Sequence, residues 1–203
     1  IEFSEALNHF EAQATCDFAV DASGALKTVA VSVIKIANDI RWLASGPRCG
    51  LGEINIPAVQ PGSSIMPGKV NPVICESAIQ AATQVIGNDT TINNCGMGSY
   101  FELNLMLPLM AYNLIQSAHL LTHTAQVFTD KCVAGISANE ARCAANIEKS
   151  LAIVTNLVPH IGYDRAAKIA QKAHDSDRTV EQVALEENIM PEAELKNILY
   201  SQE

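Results

Sequence analysis

The sequence has no CxxC pair, no apolar run long enough to span a membrane, no secretory signal pattern and few basic residues. The six cysteines therefore indicate neither a zinc site nor a disulfide framework, and unpaired thiols suggest a reducing compartment. The other absences give no sign of a membrane anchor or of export. With 13 basic and 22 acidic residues, the net charge is −9, which argues against nucleic-acid or anionic-membrane partners. A small anion stays open as a ligand, because a single site can be locally positive.

Helical periodicity dominates the chain up to Lys131. Apolar side chains recur at alternating spacings of four and three, the seam pattern of packed helices, at Ala22, Leu26, Val29, Val33, Ile36, Ile40 and Leu43. We expect Ser23-Gly24 to mark a break or a kink between this seam and an earlier one at Phe3, Leu7, Phe10 and Ala14. A third seam, with Pro108 in its first turn, comprises Leu103, Leu107, Met110, Leu114, Ser117, Leu121, Thr124 and Phe128.

Residues 72–94 are also predicted to be helical, with Asn71 as the N-cap and Pro72 as the first helical residue. The apolar stripes exceed what one helical hairpin can bury, so they predict a bundle that includes helices from other chains. After Lys131 the helical patterns are shorter, near residues 139–153, 163–174, 179–188 and 191–200. We therefore predict an all-α fold, with residues 1–138 as part of a long central helical bundle and residues 139–203 as a small C-terminal helical domain. The chain begins with Ile1, within an amphipathic pattern, and we expect it to be a piece of a longer protein.

Residues 46–71 interrupt the helices with a segment rich in glycine and proline, in which residues 54–56 are a candidate short strand. Its end forms the loop GSSIMPGKVNP, residues 62–72. Long irregular segments within compact domains are commonly functional. A nucleotide phosphate loop is excluded, because five residues rather than four separate Gly62 from Gly68-Lys69, and Val70 replaces the Ser/Thr that binds magnesium. No GxSxG motif surrounds Ser63, which argues against a serine-hydrolase elbow.

The residues in and after loop 62–72 suit the binding of a carboxylate. Lys69 supplies a cation, Asn71 an amide, and the predicted helix start the positive end of a helix dipole. Ser63 and Ser64 are either two solvated loop serines, or one of them acts as a base. A serine base would need backbone N–H groups or a cation to stabilise its alkoxide. Glu76 either stabilises the helix dipole or orients a histidine that acts as acid or base.

His119 and His123 stand one helical turn apart and therefore face the same side of a helix. Such a pair can chelate a metal, but no acidic residue lies between them. Ordinary polar helix positions are the favoured interpretation of this pair, and we predict no metal site.

The sequence from Gly62 to Pro72 resembles the GSSxMPxKxNP signature of the aspartase/fumarase superfamily. Within that superfamily the chain is most similar to class II fumarases, with further matching segments at residues 35–41, 46–53, 85–89, 101–104 and 160–164. Aspartase is the nearest alternative, since it shares GSSIMPxKVNP and IGND. Gly68, where aspartases tend to carry alanine, and residues 160–168 favour fumarase. Argininosuccinate and adenylosuccinate lyases fit less well.

The resemblance implies reversible addition of water to fumarate to give L-malate, without a metal or an organic cofactor. It implies that Ser63 is the base that removes a proton beside a carboxylate. Lys69 and Asn71 would hold a carboxylate, and Ser64 would contact the substrate. Glu76 would hydrogen-bond an active-site histidine, which the family carries in an upstream segment that this sequence lacks.

The same resemblance implies a homo-oligomer, a tetramer built around the helical bundle, together with the missing N-terminal part of the protein. Fumarate and L-malate are the expected ligands, and neither nucleic acid nor membrane is an expected partner. The expected location is the cytoplasm, or the mitochondrial matrix in a eukaryote. Two alternatives to a fumarase are an aspartase and an inactive helical module that only oligomerises. We expect the 203-residue chain alone to be inactive.

Overall fold

The structure is a computed structural model that describes residue 2 and residues 4–200, so Phe3 of the earliest predicted seam lies outside the described residues. The chain is mostly helical, which confirms the predicted fold class. It divides into two compact units, residues 1–137 and residues 138–203, one residue before the predicted boundary. Across the described residues, no helix combines the length and apolarity needed to cross a bilayer.

Within its described residues, unit 1 contains four α-helices and a long irregular segment between the second and third. The helices are α1 (His9–Ala14), α2 (Asp17–Leu43), α3 (Val73–Gly96) and α4 (Leu107–Lys131), and a 3-10 helix follows at Val133–Gly135. The predicted short strand is present as β1 (Ile54–Asn55), which pairs with β2 (Ser137–Ala138) at the end of the unit. The three long helices pack on one another and carry the three hydrophobic clusters of this unit.

The buried stripe of α2 is rotated relative to the predicted seam. The fully buried residues are small, namely Ala19, Ser23, Ala30 and Ala37. Larger side chains fill the part-buried positions between them, at Leu26, Val33 and Ile40. Val29 and Ile36 were predicted in the seam but are each 49% exposed. Helix spacing depends on the side chains at the contact, and small residues allow α2 to lie close to α3.

The break between the first two helices lies at Thr15 and Cys16, so the prediction of a break at Ser23-Gly24 is wrong. Thr15 has an extended backbone, with φ −113° and ψ 155°, whereas α2 continues through Ser23 and Gly24. Ser23 is compatible with the helix because its buried hydroxyl donates to Asp89 Oδ1 at 2.8 Å. One glycine inside a long helix costs only about 1 kcal/mol.

Helix α4 confirms most of the third predicted seam. Its buried residues include Met110, Ser117, Leu121 and Phe128, and Leu114 packs against the cluster around Met110. The first two seam positions are exceptions, because Leu103 precedes the helix and Leu107 is 41% exposed. Pro108 lies in the first turn, as predicted, where its missing N–H has no intrahelical partner to lose.

Asp89 of α3 forms the buried polar contact between α2 and α3. Its carboxylate accepts from Ser23 Oγ at 2.8 Å, from Lys27 Nζ at 2.6 Å and from Asn93 Nδ2 at 3.0 Å. Burial by itself acts to raise the pKa of this carboxyl, but the bonds from Lys27 and Ser23 outweigh it and the pKa is lowered. The contact therefore holds an ionised carboxylate between the two helices.

Over residues 138–200, unit 2 contains five short α-helices around its own core. They are α5 (Glu140–Lys149), α6 (Val158–Ile161), α7 (Tyr163–Asp175), α8 (Val180–Glu186) and α9 (Glu192–Tyr200), with a 3-10 helix at Leu151–Leu157. Three of the four predicted helical segments are confirmed, whereas the first, near residues 139–153, is α-helical only to Lys149. The 3-10 helix and α6 were not predicted as separate elements. Asn139 caps α5 and Thr179 forms a capping box with Gln182 at the start of α8. The core includes Leu157, Ile169, Val183 and Leu195.

Candidate functional site

Loop 62–72 is closed at its neck by contacts between its two ends. Asn71 Nδ2 donates to the Gly62 carbonyl oxygen at 2.6 Å. A Cβ atom at Gly62 would lie 2.0 Å from the carbonyl oxygen of Lys69 and 2.8 Å from the Asn71 nitrogen. Only glycine therefore fits at the neck. Gly68 has φ +79°, a backbone conformation that glycine adopts without strain.

The predicted capping role of Asn71 is wrong, and so is the assignment of Pro72 as the first helical residue. Helix α3 begins at Val73, and Pro72 is its N-cap residue without a side-chain cap bond. The Asn71 amide turns back to Gly62 instead, because closing the loop satisfies a carbonyl that a helix cap would leave unpaired. Asn71 is therefore a residue of the loop neck, immediately before the start of the helix.

Ser63 is held by the backbone of its own loop. Its Oγ accepts from the backbone N–H groups of Ile65 at 3.2 Å and Met66 at 3.1 Å. The residue is half-buried, whereas Ser64 next to it is exposed. Two N–H donors aimed at one oxygen favour negative charge on that oxygen, which is the condition that a serine base requires.

The charged candidates flank this serine along the chain. Lys69 is exposed and Glu76 is half-buried in the first turn of α3. Among the residues that the structure describes, neither side chain has a hydrogen bond or an ion pair. The 24-residue helix α3 directs the positive end of its dipole toward its start. Close to Asn71 and Pro72 along the chain, the site therefore combines a helix N-terminus with the Lys69 ammonium group, which has no partner among the described residues.

His119 and His123 lie at a groove between α3 and α4 and not at the loop. The groove has a volume of about 600 Å³, and its lining is mainly apolar, with Ile74, Leu120 and Phe128 among the lining residues. His123 Nδ1 lies 2.8 Å from the His119 carbonyl oxygen, so it interacts with its own helix. Residues 2 and 4–200 contain no group of three or more His, Cys, Asp or Glu side chains placed to hold a metal ion.

Comparisons with known proteins agree with the motif. A family model described as "Lyase" matches residues 1–87, and one described as "Fumarase C C-terminus" matches residues 153–203. The class II fumarate hydratase of Thermosynechococcus vestitus is 52% identical over 91% of this chain, and that of Nitrosomonas europaea is 54% identical over 90%. The chain belongs to the class II fumarase family. It spans about two fifths of these fumarases, 39% and 40% of their lengths.

Solved structures of the family superimpose on the chain. A fumarate lyase:delta crystallin from Brucella melitensis, described as bound to cobalt, has a TM-score of 0.93 and 47% identity and covers 98% of this chain and 43% of its own. The class II fumarase of Schistosoma mansoni has a TM-score of 0.90 and 40% identity, covering 97% of this chain and 41% of its own. The chain therefore has the fold of a portion of a class II fumarase.

The structure brings together Asn71 at the loop neck, Ser63 and the start of α3. Two hydrogen-bond donors to Ser63 were not predicted by name. These are the backbone N–H groups of Ile65 and Met66. Backbone N–H groups cannot be recognised from residue identity. A serine whose hydroxyl accepts from the N–H groups two and three positions later is, however, a common local pattern. That pattern could have identified Ser63, rather than Ser64, as the stabilised hydroxyl.

Proposed function

We propose that this chain supplies one wall of the active site of a fumarate hydratase, which interconverts fumarate and L-malate. The observation that carries the proposal is the pair of backbone N–H groups on Ser63 Oγ. Family membership supports it, because the similar curated proteins are named fumarate hydratases. The proposed parent protein is a lyase, and the roles below are assigned to residues of this chain.

Ser63 is the proposed base. In the dehydration direction its alkoxide takes a proton from the carbon beside one carboxylate of L-malate, and the released electron pair moves into that carboxylate. The resulting dianion then expels the hydroxyl group of the neighbouring carbon, which leaves as water after accepting a proton from an acid outside this chain. The two N–H donors lower the free energy of the alkoxide, because they face the oxygen that carries the negative charge.

Lys69 and Asn71 are the proposed carboxylate ligands. The Lys69 ammonium group is exposed and has no partner among the described residues, so it is available to pair with an anion. One N–H of the Asn71 amide is committed to Gly62, and its second N–H can still donate to a carboxylate. The α3 N-terminus adds favourable potential at the same end of the helix. Ser64 is a proposed additional contact to substrate.

Glu76 is the proposed partner of a histidine that this chain does not contain. The carboxylate is half-buried in the first turn of α3 without a partner among the described residues, and a histidine that transfers protons needs such an orienting group. The histidine would belong to another part of the full-length protein. No metal or organic cofactor enters this chemistry.

The proposal includes an assembly of several copies. Exposed apolar residues along α2, including Val29, Ile36 and Trp42, support burial against further helices. By family resemblance we propose a homotetramer in which the two units act as a bundle domain and a C-terminal domain. The proposed location is the cytoplasm or the mitochondrial matrix, and the Rhizopus oryzae relative is named mitochondrial.

Replacement of Ser63 tests the proposed function. In the full-length protein, we expect Ser63→Ala to lower kcat for malate dehydration by roughly 10²- to 10⁴-fold, the usual contribution of general-base catalysis. The reaction is followed by the absorbance of fumarate, and circular dichroism checks that the fold is retained. Ser64→Ala is the matched control, with a smaller loss because that hydroxyl is exposed and has no backbone donors.

Two outcomes would contradict the proposal. Equal activity of the Ser63→Ala variant and the parent protein would remove Ser63 as the base. Ammonia release from L-aspartate, with no conversion of L-malate by the folded full-length protein, would assign the alternative aspartase activity.

A further inference from the structure

Two buried thiols lie beside the first turn of α3. Cys75 is in that turn, next to Glu76, and Cys132 directly follows the last residue of α4. Their Sγ atoms are 3.8 Å apart, and the side chains are 0% and 2% exposed. Cys16 and Cys95 share another buried cluster, yet within the described residues their sulfur atoms make no such contact.

We propose that Cys75 and Cys132 form a dithiol that hydrogen peroxide oxidises to a disulfide, and that this bond reversibly lowers the activity of the adjacent site. The effect on activity rests on the proposed function, whereas formation of the bond does not. A disulfide requires an S–S separation of about 2.05 Å, so the sulfur atoms must approach by about 1.8 Å from 3.8 Å. Both residues lie at helix ends, where the backbone has fewer intrahelical bonds to restrain it.

Both thiols have raised pKa values. Burial, followed by the proximity of Cys132, raises the pKa of the Cys75 thiol to about 12. Burial also raises the pKa of Cys132, but the hydrogen bond from Cys75 acts in the opposite direction. Either thiol can donate the hydrogen bond between the two sulfur atoms, so either can react first. Because thiolate is the reactive form, oxidation is slow and responds to sustained peroxide.

The reaction consumes one peroxide for two thiols. One thiolate, written here as that of Cys132, attacks one peroxide oxygen, an S–O bond forms, the O–O bond breaks, and the leaving hydroxide takes up a proton as water. Cys75 sulfur then attacks the Cys132 sulfenic acid, an S–S bond forms, and the S–O bond breaks with release of a second water that carries the Cys75 proton. The two thiols are oxidised by two electrons and peroxide is reduced to two waters.

The disulfide would act on the site through the first turn of α3. Cys75 adjoins Glu76 and follows Asn71 by four residues, so drawing Cys75 toward the end of α4 displaces both. A displacement of about 1 Å in a catalytic group can lower the rate by about 100-fold. We expect the oxidised protein to lose at least about tenfold of its activity, and dithiothreitol to restore it.

Peptide mapping tests the bond itself. Full-length protein is treated with hydrogen peroxide, digested without reductant and analysed by mass spectrometry. We expect a peptide pair linked through Cys75 and Cys132 that dithiothreitol separates. The link should be absent from Cys75→Ser and Cys132→Ser and retained in the buried control Cys95→Ser. Sulfinic or sulfonic acid at Cys75 or Cys132 without a linked peptide would overturn the proposal.

Activity measured before and after oxidation tests the regulatory effect. Cys132→Ser, or Cys132→Ala where the serine variant does not fold, should keep its malate dehydration activity in peroxide, whereas the parent protein loses it. A parent protein that carries the mapped disulfide at unchanged activity would overturn the regulatory effect. Absence of activity in the reduced parent protein would instead contradict the proposed function, and the mapping result would still decide on the bond.

Discussion

Gly62 has no room for a side chain, because a Cβ atom there would lie 2.0 Å from the carbonyl oxygen of Lys69. We expect Gly62→Ala to open the neck of loop 62–72 and to lower kcat/KM for malate dehydration by about tenfold to 100-fold. The loop is exposed and contributes little to a core, so the melting temperature should change little. Fumarate absorbance and thermal unfolding of the full-length variant measure the two effects.

Gly24→Ala is the matched control for that change. A Cβ at Gly24 meets nothing within 4 Å, and the residue lies inside α2. Alanine there should leave activity unchanged and stabilise the protein by about 0.5–1 kcal/mol. Full activity in the Gly62→Ala variant would show that the neck does not position the site.

Asp89 makes stability depend on pH in a defined direction. Its folded pKa is lowered below the value of 3.8 that it has when unperturbed. The stability it contributes is therefore present above pH 3.8 and is lost as the pH falls through the folded pKa. We expect Asp89→Asn to cost roughly 1–3 kcal/mol at neutral pH, and less as the pH falls below 3.8. Urea unfolding at pH 7 and in steps below pH 4 measures this difference.

Asp39→Asn is the control for the pH series. Asp39 pairs with Lys35 on the exposed surface of α2, and both side chains are at least half exposed. Exposed pairs contribute little, so this variant should stay within about 1 kcal/mol of the parent protein. A constant difference between Asp89→Asn and the parent protein at every pH would contradict the assignment of a lowered pKa.

Single residues differ in how far the sequence could predict their roles. Ser63, Ser64, Lys69, Asn71 and Glu76 became candidates through their side-chain chemistry and the family resemblance, and their roles stay predictions. The hydrogen bond from Asn71 to the Gly62 carbonyl oxygen could not be predicted from side-chain chemistry, because an asparagine before a proline is equally suited to capping a helix. Whether Asn71 caps the helix or closes the loop depends on whether the chain brings Gly62 close to it. Gly62 lies nine residues earlier in the sequence.

The sequence predicts where the helices lie along the chain better than it predicts which face of each helix is buried. Helices α2, α3 and α4 follow from periodicity, and so do the main helices of unit 2. On α2, however, the two candidate stripes share Leu26, Val33 and Ile40 and differ in their remaining members. The stripe with larger side chains has the higher apolarity, whereas the stripe with alanines allows close packing on α3. A single-helix pattern contains no information about the spacing of its partner.

The other stripe of α2 provides a prediction about assembly. Val29 and Ile36 remain about half exposed in the single chain, and we propose that they contact helices of other copies. In the full-length protein, Val29→Glu with Ile36→Glu should lower the oligomeric mass measured by light scattering, because a carboxylate in an apolar interface is costly. Lys35→Glu, at an exposed position about 100° or more around the same helix from both residues, should leave the mass at that of the parent protein. Equal masses for both variants would contradict the interface.

At the scale of the whole molecule, this chain covers about two fifths of its curated relatives. Its candidate residues Glu76 and Lys69 have no partners among the residues described, as expected for one wall of a larger site. We therefore expect the 203-residue chain alone to produce no fumarate from L-malate, with the full-length protein as the positive control in the same absorbance assay. Turnover by the purified chain would show that the histidine and the remaining walls are dispensable.

The small-residue stripe of α2 also bears on how natural sequence variation in this protein should be judged. Ala37 is fully buried in the cluster that contains Cys75 and Ala78, directly against the first turns of α3. Because the side chain is fully buried, added methyl groups must displace neighbouring atoms and strain the packing at the first turns of α3. A replacement such as Ala37→Val looks conservative in chemistry and is remote from the loop in sequence. Variants in this chain should therefore be ranked by added volume against α3 as well as by distance from Ser63.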